Sequence, residues 1–263
     1  MSTAVLDMEA GEKASTQGIV ATDRPSLVRW IGQPVLCIAA VAISLIYVNN
    51  ASVSVTEQRS LATETLFTLL RQHMVISLAA TALVVLIAVP LGVLLTRGPM
   101  RRYSKPVMTI AGFGQAAPAI GLIVLGAVIF GIGTKGAIIA LTVYGILPIV
   151  ANTVAGLDGV DPRLVEASRG MGMSNWATLM RVELPLAITV IVAGIRTALV
   201  LIVGTASLAS FVGAGGLGDL ITTGIKLQQN VTLIVGAILV ASLALFIDWL
   251  ARLVELVVAP KGL

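Results

Sequence analysis

A chain of 263 residues, 57% hydrophobic and only 11% charged, with a mean hydropathy of +1.00, carries more apolar surface than a soluble core of that size can absorb; soluble domains hold about 25% charged residues. This excludes a soluble enzyme, a disordered chain and, with one cysteine, a disulfide scaffold, and it makes lipid the main solvent. The net charge of +4 does not signal nucleic acid, because the basic residues gather at the ends of apolar runs, where they set membrane orientation.

Residues 1–30 are polar and mixed in charge. They lack the short basic start and early apolar core of a signal peptide, and are expected to form a cytoplasmic tail. Leu36 before Cys37 argues against a lipoprotein-type cleavage site. Six apolar runs then qualify as spans of about 20 residues: 31–48, 73–97, 106–130, 136–156, 185–206 and 231–252. Backbone groups in lipid must pair within the segment, and these runs do not alternate as barrel strands do, so the spans are helices. The expected fold is an all-α polytopic bundle of about six transmembrane helices. Residue 31–48 is its first span, 49–72 an outer segment and 73–263 the core. Apolar Leu61, Leu66, Phe67, Leu69 and Leu70 within 57–72 suit a short interfacial helix.

With the N-terminus inside, twelve Lys and Arg fall on the cytoplasmic side, among them Arg97, Arg101, Arg102, Lys105, Arg163, Arg169 and Arg181. Four fall outside: Arg59, Arg71, Lys135 and Lys226. That bias places both termini in the cytoplasm. Pro90, Pro118 and Pro148 lie within spans. They either kink helices that flex or line a path, or are tolerated because neighbours re-satisfy the freed carbonyls. The small residues Gly112, Gly114, Ala116, Ala117, Pro118 and Gly121 either pack closely against other helices or break a helix where a cavity needs it.

The longest cytoplasmic loop, 157–184, is structured. Asp161-Pro162 is an N-cap followed by proline at the first helical position. Helix continues from Arg163 to Arg169, Gly170 and Gly172 supply the stop, and Ser174 caps a second short helix over 175–183 before Leu184-Pro185 opens the next span. A DNA-reading helix-turn-helix tied to the bilayer at both ends is implausible.

Glu166-Ala167-Ser168, then Arg169-Gly170-Met171, Gly172, nine residues and Val182-Glu183-Leu184-Pro185 resembles the EAA loop of ABC importer permeases, E-A-A, three residues, G, nine residues, I-x-L-P. Ser168 for alanine and Val182 for isoleucine are the departures. Further stretches resemble the glycine betaine/choline/carnitine uptake branch: Gly156 to Pro162, Gly131-Ile132-Gly133-Thr134-Lys135, Ala193 to Ala198, and Phe211 to Leu220. The match covers about 73–250 of the chain. The resemblance implies a type I importer permease in which Asp161, Pro162, Arg163, Glu166, Ala167, Ser168, Arg169, Gly170, Gly172, Leu184 and Pro185 form the coupling segment for a cytoplasmic ATPase. It implies two such ATPases, which bind the ATP and Mg, a second permease chain, identical or homologous, and an extracytoplasmic solute-binding protein. It implies no bond chemistry and no cofactor in this chain. Importers of methionine or thiol betaines share parts of the pattern and stand as alternatives.

Other signals weigh less. Gly213-Ala214-Gly215-Gly216-Leu217-Gly218 spells G-x-G-x-x-G, but no strand precedes it and no acid stands near 238, so it is expected to be a tight outer loop and not a dinucleotide site. No P-loop occurs, and one histidine with one cysteine leaves no zinc site. His73 is expected to start a span at the outer side. Arg196 lies about 11 residues, roughly 16 Å, into its span. A central arginine costs about 2.5–3.5 kcal/mol, offset by apolar neighbours at about 0.3–0.6 kcal/mol each. It is expected either to face the interior and order the path through backbone carbonyls, or to serve as structural glue. Asp248 and Glu255 are expected as interface anchors. Phe113, Gln115, Pro118 and Tyr144 are further path candidates; the few aromatics form no cage for a quaternary ammonium. An ion-coupled carrier would want acids near mid-membrane, and none is expected there; a non-transporting scaffold would leave the loop without purpose.

Overall fold

The computed structural model describes residues 27–51 and 53–258. The tail expected over 1–30 lies outside them up to residue 26, and its last residues are already helical. All regular structure among the described residues is helical. The long helices are α1 (Leu27–Asn50), α3 (Thr63–Leu95), α6 (Thr134–Asp158), α9 (Leu184–Thr205) and α11 (Asn230–Val258). Shorter ones are α2 (Val55–Ser60), α4 (Ser104–Ala116), α5 (Ala119–Phe130), α7 (Pro162–Gly170), α8 (Asn175–Thr178) and α10 (Gly218–Lys226).

The outer segment is less separate than expected. Ser54 and Glu57 open α2 with a reciprocal capping box, and α3 begins at Thr63, ten residues ahead of the predicted span. The run 106–130 is not one straight span either. Ala117 is extended (φ −63°, ψ 144°), as a residue before proline must be, Pro118 precedes α5, and the two helices meet at a 97° bend. Of the two readings of the small-residue run, the helix break is the one seen. Pro34, Pro90 and Pro148 sit inside continuous helices.

Two ion pairs fix the topology. Arg97 pairs with Glu183 and Arg101 with Asp158, so the end of α3, the end of α6 and the start of α9 share one face. At the opposite face the Thr134 hydroxyl donates to the Ala214 carbonyl (3.4 Å). The α4–α5 pair therefore carries the chain from one face to the other and counts as one bent crossing. With it the helices long and apolar enough to cross a membrane number six among the described residues.

The core lies where α3, α6 and α9 meet, around Ile76, Val84, Leu141, Ile149, Val150 and Ile202. Small residues let the backbones approach: a Cβ on Gly126 of α5 would stand 2.7 Å from the Gly136 carbonyl of α6, and one on Gly194 of α9 would stand 2.5 Å from Asn152 Cβ. A second cluster, Leu157, Val160, Leu179, Ala187 and Ile191, lies under the loop between α6 and α9. α1 packs on α11 at the edge, where the Trp249 Nε1–H donates to the Trp30 carbonyl at 3.0 Å.

Candidate coupling segment and path

The loop between α6 and α9 is built from local signals. Asp161 Oδ1 accepts from the Arg163 amide (2.9 Å), and Pro162 opens α7. At its other end the Met173 amide donates to the Ser168 carbonyl (3.1 Å) and the Gly172 amide to the Arg169 carbonyl (2.9 Å). Gly172 has φ +85°. This is a Schellman ending with glycine at the left-handed position. Gly170, expected to share the stop, is instead the last helical residue. Ser174 accepts from the Ala177 amide (3.2 Å) and caps α8, which runs through a π-type turn, Leu179–Glu183, into α9.

Two contacts make this elbow stiff. Ser168 is buried; its hydroxyl donates to the Val165 carbonyl (2.8 Å) and meets the Thr178 hydroxyl of α8 at 3.1 Å. The position where the sequence departs from alanine thus ties the two short helices together. Glu183, with only 6% of its side chain exposed, grips Arg97 with both carboxylate oxygens, one at 3.1 Å from Nη1. A bidentate guanidinium–carboxylate fork fixes orientation as well as charge. Glu183 occupies the variable position of its pattern, and sequence reasoning missed its role.

The outward side of the elbow is open. Pro162, Arg163, Glu166, Ala167, Arg169 and Gly170 are exposed, as is Pro185 beyond, while Leu184 is half-buried and packs beneath the loop. Met171 (77%) and Trp176 (67%) add exposed apolar side chains beside these charges. Exposed apolar side chains next to charged ones suit a protein interface.

The path candidates do not converge. Phe113 and Gln115 stand on the last turn of α4 and Pro118 at the break; Phe113 and Pro118 are exposed, and Gln115 is half-buried, as is Tyr144 on α6. Arg196 turns elsewhere, to α11. Its Nε donates to Asp248 Oδ1 (2.8 Å) and its Nη1 to Glu255 Oε2 (3.2 Å). Asp248 Oδ2 also accepts from Arg252 Nη2 and from Gln33 Nε2 of α1, each at 3.1 Å. The expectation of backbone-carbonyl partners is corrected: carboxylates hold Arg196. Asp248, expected as an interface anchor, shares this contact, with 15% of its side chain exposed. The spans do hold an acid, but a paired one.

On the face opposite the elbow, His73 does not start a span; it is eleven residues into α3 and fully buried, its Nε2 2.9 Å from the Val203 carbonyl. The Gly213–Gly216 loop presses on α3 there. Gly213, Gly215 and Gly216 have positive φ, Gln72 Oε1 accepts from the Gly216 amide (3.1 Å), and a Cβ on Gly215 would come 2.5 Å from that same oxygen. A cleft of about 460 Å³ opens beside it, lined by Phe67, Thr68, Arg71, Gln72, Val75, Ile76, Thr134 and Ala214. Nearby on α10, burial pushes the Asp219 carboxyl above its ordinary range, and Lys226 pulls it partly back.

Residues 88–258 match the family of binding-protein-dependent transport system inner membrane components. The chain belongs to this family. Among its relatives, the glycine betaine/carnitine/choline transport system permease protein OpuCB of Bacillus subtilis is 43% identical over 192 residues, 73% of this chain and 88% of that one. The choline transport system permease protein OpuBB of the same organism is 42% identical over 192 residues, again 73% and 88%. The osmoprotectant import permease protein OsmW of Salmonella typhimurium is 41% identical over 197 residues, 73% and 91%. Among solved structures, a chain of the MetNI methionine ABC transporter in an inward-facing conformation is similar with a TM-score of 0.65 and 25% identity, over 74% of this chain and 96% of that one. The all-helical importer-permease fold is therefore as expected. This family member is a multi-pass inner-membrane permease, a non-catalytic subunit that works with an ATPase and a solute-binding protein. The secondary-carrier and scaffold readings fall away.

Proposed function

We propose that this permease carries quaternary-amine compatible solutes of the glycine betaine, choline and carnitine class, and that the elbow over 157–184 transmits the movement of its ATPase partners. The relatives named for those solutes, at 41–43% identity, support the substrate class. The observation that carries the coupling role is the exposed and doubly braced elbow: Ser168 tied to Thr178, and Glu183 tied to Arg97. Two ATPases dock on the elbows of two permease chains, with Glu166, Arg169 and the apolar Met171 and Trp176 in the contact. The elbow faces the cytoplasm, as do both ends of the chain; the excess of Lys and Arg on that side supports this orientation. A short stiff helix pair passes a nucleotide-driven displacement to the spans on either side, and solute moves between the permease chains past the bend at Pro118, with Phe113, Gln115 and Tyr144 along the way.

The test is co-purification. Glu166→Ala with Gly172→Asp abolishes retention of the ATPase while the permease still inserts; retention at the level of the unmodified chain overturns the coupling assignment. Uptake of glycine betaine, choline, carnitine and methionine by vesicles holding the complete assembly decides the substrate class, methionine alone being the result that overturns it.

A further inference from the structure

The cleft beside the Gly213–Gly216 loop opens on the face opposite the elbow, the face from which an importer receives its solute. Its volume of about 460 Å³ lies within the range of small-molecule sites, about 300–1,000 Å³. The back wall is fixed. Gln72 spends its carbonyl oxygen on the Gly216 amide, Thr134 spends its hydroxyl proton on Ala214, and Gly213, Gly215 and Gly216 of the adjoining loop add no side chains of their own. Val75 and Ile76 add an apolar side.

Two groups remain uncommitted. Arg71 forms no ion pair among the described residues, unlike Arg97, Arg101, Arg196 and Arg252. Phe67 leaves 72% of its surface exposed. They stand four residues apart on α3, so both face the same side, with Cβ atoms about 5–6 Å apart. A guanidinium takes a carboxylate in a two-point fork, and a ring face takes a quaternary ammonium. A short zwitterion presents these two groups at that kind of spacing. A bare cation satisfies the ring but is repelled by Arg71.

We propose that this cleft is an entry site for carboxylate-bearing quaternary ammonium solutes, in which Arg71 takes the carboxylate and Phe67 the ammonium. The assignment rests on the substrate class proposed above. Arg71 and Phe67 lie ahead of residues 88–258, the stretch that matches the family.

The experiment is uptake by the complete transporter reconstituted in vesicles, with glycine betaine and choline as probes. Arg71→Gln raises the KM for glycine betaine about tenfold or more, the weight of a charged hydrogen bond, and so raises the ratio of the betaine KM to the choline KM; Arg71→Lys, which keeps the charge but not the fork, restores part of it. Phe67→Leu keeps the bulk, loses the ring, and raises both KM values about two- to fivefold. An unchanged ratio in Arg71→Gln overturns the site. So does an equal loss of maximal rate for both solutes, which marks Arg71 as a docking contact for the binding protein. If the unmodified assembly imports neither probe, the substrate class itself fails and this ligand assignment with it, an outcome distinct from an unchanged ratio.

Discussion

Gly170 and Gly172 stand two residues apart, and each has open space where a Cβ would go, yet a methyl acts on them in opposite directions. Gly172 has φ +85°, so alanine there costs about 1–2 kcal/mol in left-handed strain. Gly170 is helical, and alanine there stabilises by up to about 1 kcal/mol by restricting the unfolded chain. Thermal unfolding of the purified permease, with limited proteolysis of the elbow, should show Gly172→Ala loosening the loop and Gly170→Ala leaving it as tight or tighter. The sequence placed both glycines at the end of α7 and could not separate them, because only the hydrogen-bond pattern tells which carries the turn. The caps at Asp161 and Ser174 were legible, since each uses a side chain within three residues of its target. Glu183 was not legible: its partner Arg97 is 86 residues away, and nothing local points to it.

Among the elements, the junction of α3 with the π-type turn carries the most weight. The turn puts Glu183 against the chain just past the end of α3, so any tilt of the elbow pulls on that helix directly. Removing one member of a buried pair strands the other; the cost is below the about 3–5 kcal/mol of a fully enclosed pair, because a third of the Arg97 side chain reaches solvent. Glu183→Ala should therefore still assemble with the ATPase but hydrolyse nucleotide without matching uptake. Exchanging the two residues, Arg97→Glu with Glu183→Arg, should recover part of the uptake; if Glu183→Ala leaves transport per nucleotide unchanged, the junction transmits nothing. The long helices were readable from hydropathy alone. The bend between α4 and α5 was readable only as an alternative, since Ala117-Pro118 is compatible both with a kinked span and with a break, and tertiary packing against α6 and the Gly213–Gly216 loop selects the break.

For the molecule as a whole, the seam of Arg196, Asp248, Glu255, Arg252 and Gln33 joins α9, α11 and α1. Arg196→Leu takes one partner from Asp248, which keeps Arg252 and Gln33, and leaves Glu255 without its partner; it should destabilise the permease by less than the about 3–5 kcal/mol of a fully enclosed pair, because 15–30% of these side chains is exposed. Adding Glu255→Leu should recover most of that stability, because replacing both charges by apolar groups is often neutral. Recovery of uptake in the double variant identifies a structural seam; a stable double variant that fails to transport returns Arg196 to the solute path. The mid-span arginine was visible in the sequence, but its partners, 52 and 59 residues on, were not. The same seam bears on biosynthesis. The groups of α1 that join it, Gln33 and the Trp30 carbonyl, find their partners 215 and 219 residues later, in the last helix described. α1 must therefore wait beside the growing bundle, loosely held, until translation delivers α11. Stalling the ribosome before α11 should leave α1 open to crosslinking by lipid-soluble reagents, and completing the chain should close it.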